Sequence, residues 1–161
     1  MTPVLDGWGD EELRSALLAC CHAPAWADRL AARRPFATLE ALLAASDAEL
    51  AASDEADVDA ALAAHPRIGE RPSGADSRRE QSAVLAGGAD VLTGLAEGNR
   101  AYEERFGHVY LVCAAGRSGE ELLAVLRSRL GNDPATERSV LRGELAAITR
   151  LRLTRLVEGA A

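Results

Sequence analysis

Apolar side chains recur along most of this chain at steps of three and four residues, the signature of helices that each bury one face. The spacing predicts helices over 10–21 (DEELRSALLACC) and 24–34 (PAWADRLAARR), the second ending at Pro35. Two more follow over 38–46 and 46–53, because Ser46 precedes Glu49 by three residues in a capping-box pattern. A fifth, over 54–64, runs into His65-Pro66, and a residue before proline is pushed out of the α region.

After a Gly- and Pro-rich loop, a long helical segment is expected from Ser77. Its stripe is Gln81, Leu85, Gly88, Leu92, Leu95, Asn99, Tyr102 and Phe106, with Gly87-Gly88 bending or splitting it and Gly107 as its C-cap. Residues 108–114 are β-branched and apolar but too few for a helix, and read as a short buried extended segment. Ser118 and Glu121 open another capping box, and Asp133-Pro134 starts the last helix with a cap and a first-turn proline. The fold class is therefore all-α, a multi-helix bundle read as one domain over 1–161.

Composition narrows the functions. At 161 residues the chain can bury a real core, and with 48% apolar but only 4% aromatic residues that core is made of Ala, Leu and Val. A formal charge of −7 argues against nucleic acid as a partner. No apolar run approaches the roughly 18 residues that span a membrane, and no basic-then-apolar leader or peroxisomal address is visible. A soluble, cytoplasmic protein is expected. Every basic side chain is arginine, which excludes a lysine Schiff base. The three cysteines fit neither a disulfide framework nor a metal knuckle; Cys113 reads as a small buried hydrophobe.

Of the three histidines, His22 sits where it can complement a helix dipole and His108 follows a glycine with no acidic neighbour. No metal-ligand spacing appears. His65 differs, being held at a proline-restricted corner, although His-Pro is commonly a plain helix stop. Ser77 and Glu80 likewise fit a capping box as well as a site. Gln81 does not, since an amide on an apolar stripe needs partners that a polar ligand could supply. In the last helix Leu141, Leu145, Ile148, Arg152 and Leu156 form one line, so Arg152 stands where a leucine is expected, while Arg150 and Arg155 lie off it. A guanidinium there requires an anion, either a buried glutamate such as Glu80 or a ligand.

Taken in order, HPRIG (65–69), SRREQ (77–81), NRAYEERFG (99–107), Gly116 and ITRLRL (148–153) resemble the 2-oxo-4-hydroxy-4-carboxy-5-ureidoimidazoline (OHCU) decarboxylases of urate breakdown, from about residue 10 to 157. The resemblance implies an all-helical, cofactor-free fold, usually a homodimer, that converts OHCU to (S)-allantoin and carbon dioxide. It implies His65 as catalytic histidine and Glu80 as essential carboxylate. Pro66, Ser77, Gln81 and Arg152, with the backbone of Val112, Cys113, Ala114 and Gly116, fall at substrate-contacting positions. His108 and Tyr110 stand where many members carry phenylalanine, which admits a member tuned to a related ureido or imidazoline acid. A helical ligand-binding module without turnover is the alternative from another class; keeping both His65 and Glu80 counts against it.

Overall fold

The computed structural model describes residues 5–72 and 74–160, and among these the only regular structure is helical. The chain divides into two compact units, one built from the chain before His65 together with the chain after Leu145, the other from His65–Leu145.

In the first unit, α1 (Asp10–Cys20), α2 (Pro24–Ala31), α3 (Leu39–Ala51) and α4 (Glu55–Ala63) pack around the wholly buried Trp26, Leu13, Leu17, Leu30 and Leu42. Thr38 caps α3 by accepting from the Ala41 N–H, and Asp54 caps α4 by accepting from that of Asp57. The expected break at Ser46 is absent: α3 runs straight through it. The capping-box pattern is overridden because Ser46 is buried in mid-helix while Glu49 turns to two arginines of the preceding segment, Arg29 and Arg33, each at 2.6 Å. The hydrogen bond from Arg29, together with both guanidinium charges, holds the Glu49 carboxyl below its ordinary value despite burial.

The second unit holds α5 (Ala75–Glu80), α6 (Ser82–Leu85), α7 (Ala89–Phe106) and α8 (Gly119–Arg129). The segment expected as one helix from Ser77 thus breaks twice, at Gln81 and at Gly87-Gly88. Its first helix is capped at Gly74, so Ser77 lies inside α5 and heads no capping box. α7 presses on α8 so closely that a Cβ on Gly98 would stand 2.5 Å from Leu126 Cδ2, so a larger residue there forces Leu126 to shift. α7 ends on Gly107 at φ 77°, a left-handed C-cap. Ser118 caps α8 through the Glu121 N–H, as its sequence pattern requires. Residues 109–114 are non-helical and mostly buried, with Tyr110, Val112 and Ala114 in one core with Leu95, Tyr102 and Leu122.

The last helix, α9 (Pro134–Ala160), contributes its first turns to the second unit and its remainder to the first. The Thr136 N–H donates to Asp133, the predicted cap. Its deepest line runs at strict four-residue steps through Glu137, Leu141, Leu145, Thr149 and Leu153, all buried, with Ile148 beside it. Arg152 is therefore half-buried at the edge of that line rather than on it.

Candidate active site

The 65–69 loop leaves α4 after Ala64 and is gripped residue by residue by side chains of its own unit. Gln81 Oε1 accepts from the Gly69 N–H at 2.9 Å, and Gln81 Nε2 donates to the Arg67 carbonyl at 3.4 Å. Asn99 Nδ2 donates to the Ile68 carbonyl at 2.8 Å. Outside, Glu103 takes the Arg67 guanidinium in a two-pronged pair, with 2.9 Å from Nε to Oε2. Gly69 sits at φ 91° with the position of a Cβ already 3.3 Å from Leu95, so the turn admits glycine only. Ile68 is the loop's apolar anchor. His65 and Pro66, half-buried, head this clamped turn.

The partners that Gln81 needed are thus supplied by the chain itself. Its turn conformation, φ −93° and ψ 8°, coincides with the break between α5 and α6. Asn99 is a different case. Only 3% exposed, it satisfies Ile68 with its amino group while its Oδ1 accepts no hydrogen bond among the described residues. A buried acceptor left without a donor costs about 1–3 kcal/mol.

Glu80 is buried at the end of α5, next to Gln81. It lies within electrostatic reach of Cys113: burial is the main cause that pushes this thiol up, and the charges of Glu144 and Glu80 add to it. Glu144 also accepts the Cys113 N–H at 3.0 Å. Glu80, Ser77, His65, Pro66, Gln81 and the 112–116 backbone accordingly all belong to the second unit. Within the segment Val112 and Ala114 are buried, Cys113 is half-buried and Gly116 is exposed at φ 73°. Arg152 belongs to the first unit, where its charge acts on the buried Cys21 thiol, which burial pushes up to about 11 against a Thr149 hydrogen bond that lowers it.

A second set of groups, missed in the sequence, fixes the 109–114 segment. Arg129 on α8 pairs with the fully buried Glu137 at the start of α9, with Nε 2.7 Å from Oε1, and also donates to the Leu111 carbonyl at 2.7 Å. Tyr102 and Asn132 donate to the same carboxylate at 2.5 and 3.0 Å. Burial alone would raise the Glu137 carboxyl, but these hydrogen bonds and the Arg129 charge bring it below its ordinary value. The guanidinium lies 4.9 Å from the centre of the Tyr110 ring. Tyr110 donates to the Leu122 carbonyl at 3.0 Å and is fully buried, and His108 and Phe106 contact the Tyr102 ring. His108 and Tyr110 are therefore both built into this aromatic cluster. The signal for Glu137 was available: it stands one four-residue step before Leu141, just where an apolar side chain is expected.

His65 heads the clamped loop and Glu80 is a buried carboxylate of the same unit, residue types suited to acid–base chemistry on a small molecule. Residues 7–154 match the family model of OHCU decarboxylase, and the chain belongs to that family. It is 34% identical over 145 residues to the uric acid degradation bifunctional protein TTL of Arabidopsis thaliana, covering 85% of this chain and 45% of that protein. It is 38% identical over 89 residues to the 2-oxo-4-hydroxy-4-carboxy-5-ureidoimidazoline decarboxylase of Amia calva, covering 52% of this chain and 49% of that one. The chain thus spans about half the length of these curated relatives. A crystal structure of OHCU decarboxylase in the presence of (S)-allantoin superposes with a TM-score of 0.81 at 30% identity, over 93% of this chain and 99% of that one. An (S)-allantoin synthase structure, at 21% identity and a TM-score of 0.63 over 91% of this chain and 50% of that chain, shares the fold. No helix among the described residues is long and apolar enough to cross a membrane.

Proposed function

We propose that this chain decarboxylates OHCU to (S)-allantoin and carbon dioxide without a cofactor, as a cytoplasmic homodimer. The observation that carries the reading is the clamped loop: Gln81, the residue after Glu80, grips the turn that His65 heads, so the two candidate proton carriers stand on backbone tied together by hydrogen bonds. The likeness to the OHCU decarboxylase solved with (S)-allantoin supports the same substrate class.

In this reading the bond between the ring carbon and the carboxylate breaks, carbon dioxide leaves, and its electron pair enters the adjacent ring C=N bond. The substrate supplies its own electron sink. The protein orients the ring, stabilises the anion and delivers one proton to one face, tasks suited to His65 and Glu80. Pro66, Ser77, Gln81 and the 112–116 backbone line the substrate. Arg152 faces an oxygen that gains charge, since gripping the departing carboxylate would favour the ground state.

The test generates OHCU in situ from urate with the two upstream enzymes and follows the optical rotation of the product. The reading predicts fast formation of a single allantoin enantiomer. Spontaneous-rate decay to a racemate in the presence of folded protein would end it.

A further inference from the structure

Asn99 is the one clamp residue whose presence packing does not explain. It lies on the buried face of α7 between Leu95 and Tyr102, a stripe that otherwise asks for an apolar side chain. Its amide orientation is fixed by chemistry, because a carbonyl at 2.8 Å can only be met by the amino end. The carbonyl end is then left buried without a hydrogen bond among the described residues. A residue held at that cost serves the side-chain hydrogen bond it makes among the described residues, and that bond ends on Ile68, three residues from His65.

The path from one to the other is short and stiff. Pro66 fixes its own φ and restricts His65, while Gly69 is wedged against Leu95. Arg67 and Gly69 are tied by Gln81 on either side of Ile68, so the Ile68 carbonyl is the central point of the grip. The Arg67–Glu103 pair is too exposed to replace it.

We propose that Asn99 is a positioning residue: its grip on the Ile68 carbonyl sets the course of the 65–69 loop and thereby the aim of the His65 imidazole. The proposal rests on the reading of His65 as a proton-handling group. In this role Asn99 acts through the loop and not on the substrate.

The test compares wild type with Asn99→Leu, which keeps the branched shape in a larger side chain and removes the donor, and with Asn99→Ser as a second, smaller variant that cannot overpack. Turnover of in situ OHCU is normalised to the folded fraction, and the His65 ring signals are followed by NMR after assignment with His65→Asn. The expected result is a kcat about 10- to 100-fold lower with KM within about threefold, the scale of a sub-ångström to one-ångström misplacement. The His65 signals should shift while those of His22, in the other unit, stay. A variant with wild-type kcat per folded molecule and unmoved His65 signals would overturn the proposal, whatever its melting temperature. If His65→Asn turns over OHCU like wild type, the site reading fails instead, and the NMR arm alone then decides whether Asn99 positions the ring.

Discussion

Two irregular segments of the second unit are held in opposite ways. The 65–69 loop has one apolar anchor, Ile68, and is fixed by the neutral amides of Gln81 and Asn99. The 109–114 segment is apolar almost throughout and is also tied to a buried charge pair, through Arg129 on the Leu111 carbonyl and Glu137 behind it. Neutral amides fix direction at little energetic stake, because each bond is worth about 0.5–1.5 kcal/mol net. A buried ion pair is all-or-none, since removing either partner strands a charge. The contrast implies that damage to the first segment appears in turnover and damage to the second in stability.

The largest effect expected from breaking this contrast is Arg129→Met. Among the described residues it leaves the fully buried Glu137 carboxylate with the hydrogen bonds of Tyr102 and Asn132, and unfolding by urea should show a loss of about 3–5 kcal/mol. Adding Glu137→Leu should restore part of it. A single variant as stable as the double would show that the pair carries no such stake.

Gln81→Leu comes next. It removes the acceptor of the Gly69 N–H and should cost about 1–3 kcal/mol in the same measurement, clearly less than Arg129→Met. Equal losses would erase the distinction between the two segments.

The smallest effect is in pH. Because the folded Glu137 carboxyl lies below its ordinary value, its contribution is full above the unfolded glutamate value and is lost as pH falls through the folded one. The stability gap between wild type and Glu137→Gln should therefore narrow on acidification. A gap that widens in acid would reverse the sign assigned to this carboxylate.

Much of this was legible in the sequence where local chemistry decides alone. Ser118, Asp133-Pro134 and Gly107 mark helix ends because their caps use only neighbouring backbone. Ser46-x-x-Glu49 has the same pattern and is not a helix start, since Glu49 pairs with Arg29 and Arg33 of the preceding segment. Ser77-x-x-Glu80 failed likewise, with α5 beginning after Gly74. The all-α class and the position of the 65–69 loop followed from periodicity and the His-Pro break. The grip on that loop did not, because hydrogen bonds from Gln81 and Asn99 to residues 67–69 are tertiary. On α9 the sequence spacing points to Arg152 as the polar residue on the apolar line, whereas the strict four-residue line reaches Glu137 at one end and passes Arg152 by one position at the other.

The central claim is that the residue pair beside the clamped loop handles a proton. Glu80→Gln tests it most directly, because the side chain keeps its size, the helix does not use it as a cap partner for Ser77, and only the ionisable oxygen is lost. Turnover of in situ OHCU, measured on protein whose helical signal and melting temperature match wild type, should fall by about 100-fold or more. A folded Glu80→Gln protein with wild-type turnover would contradict the account.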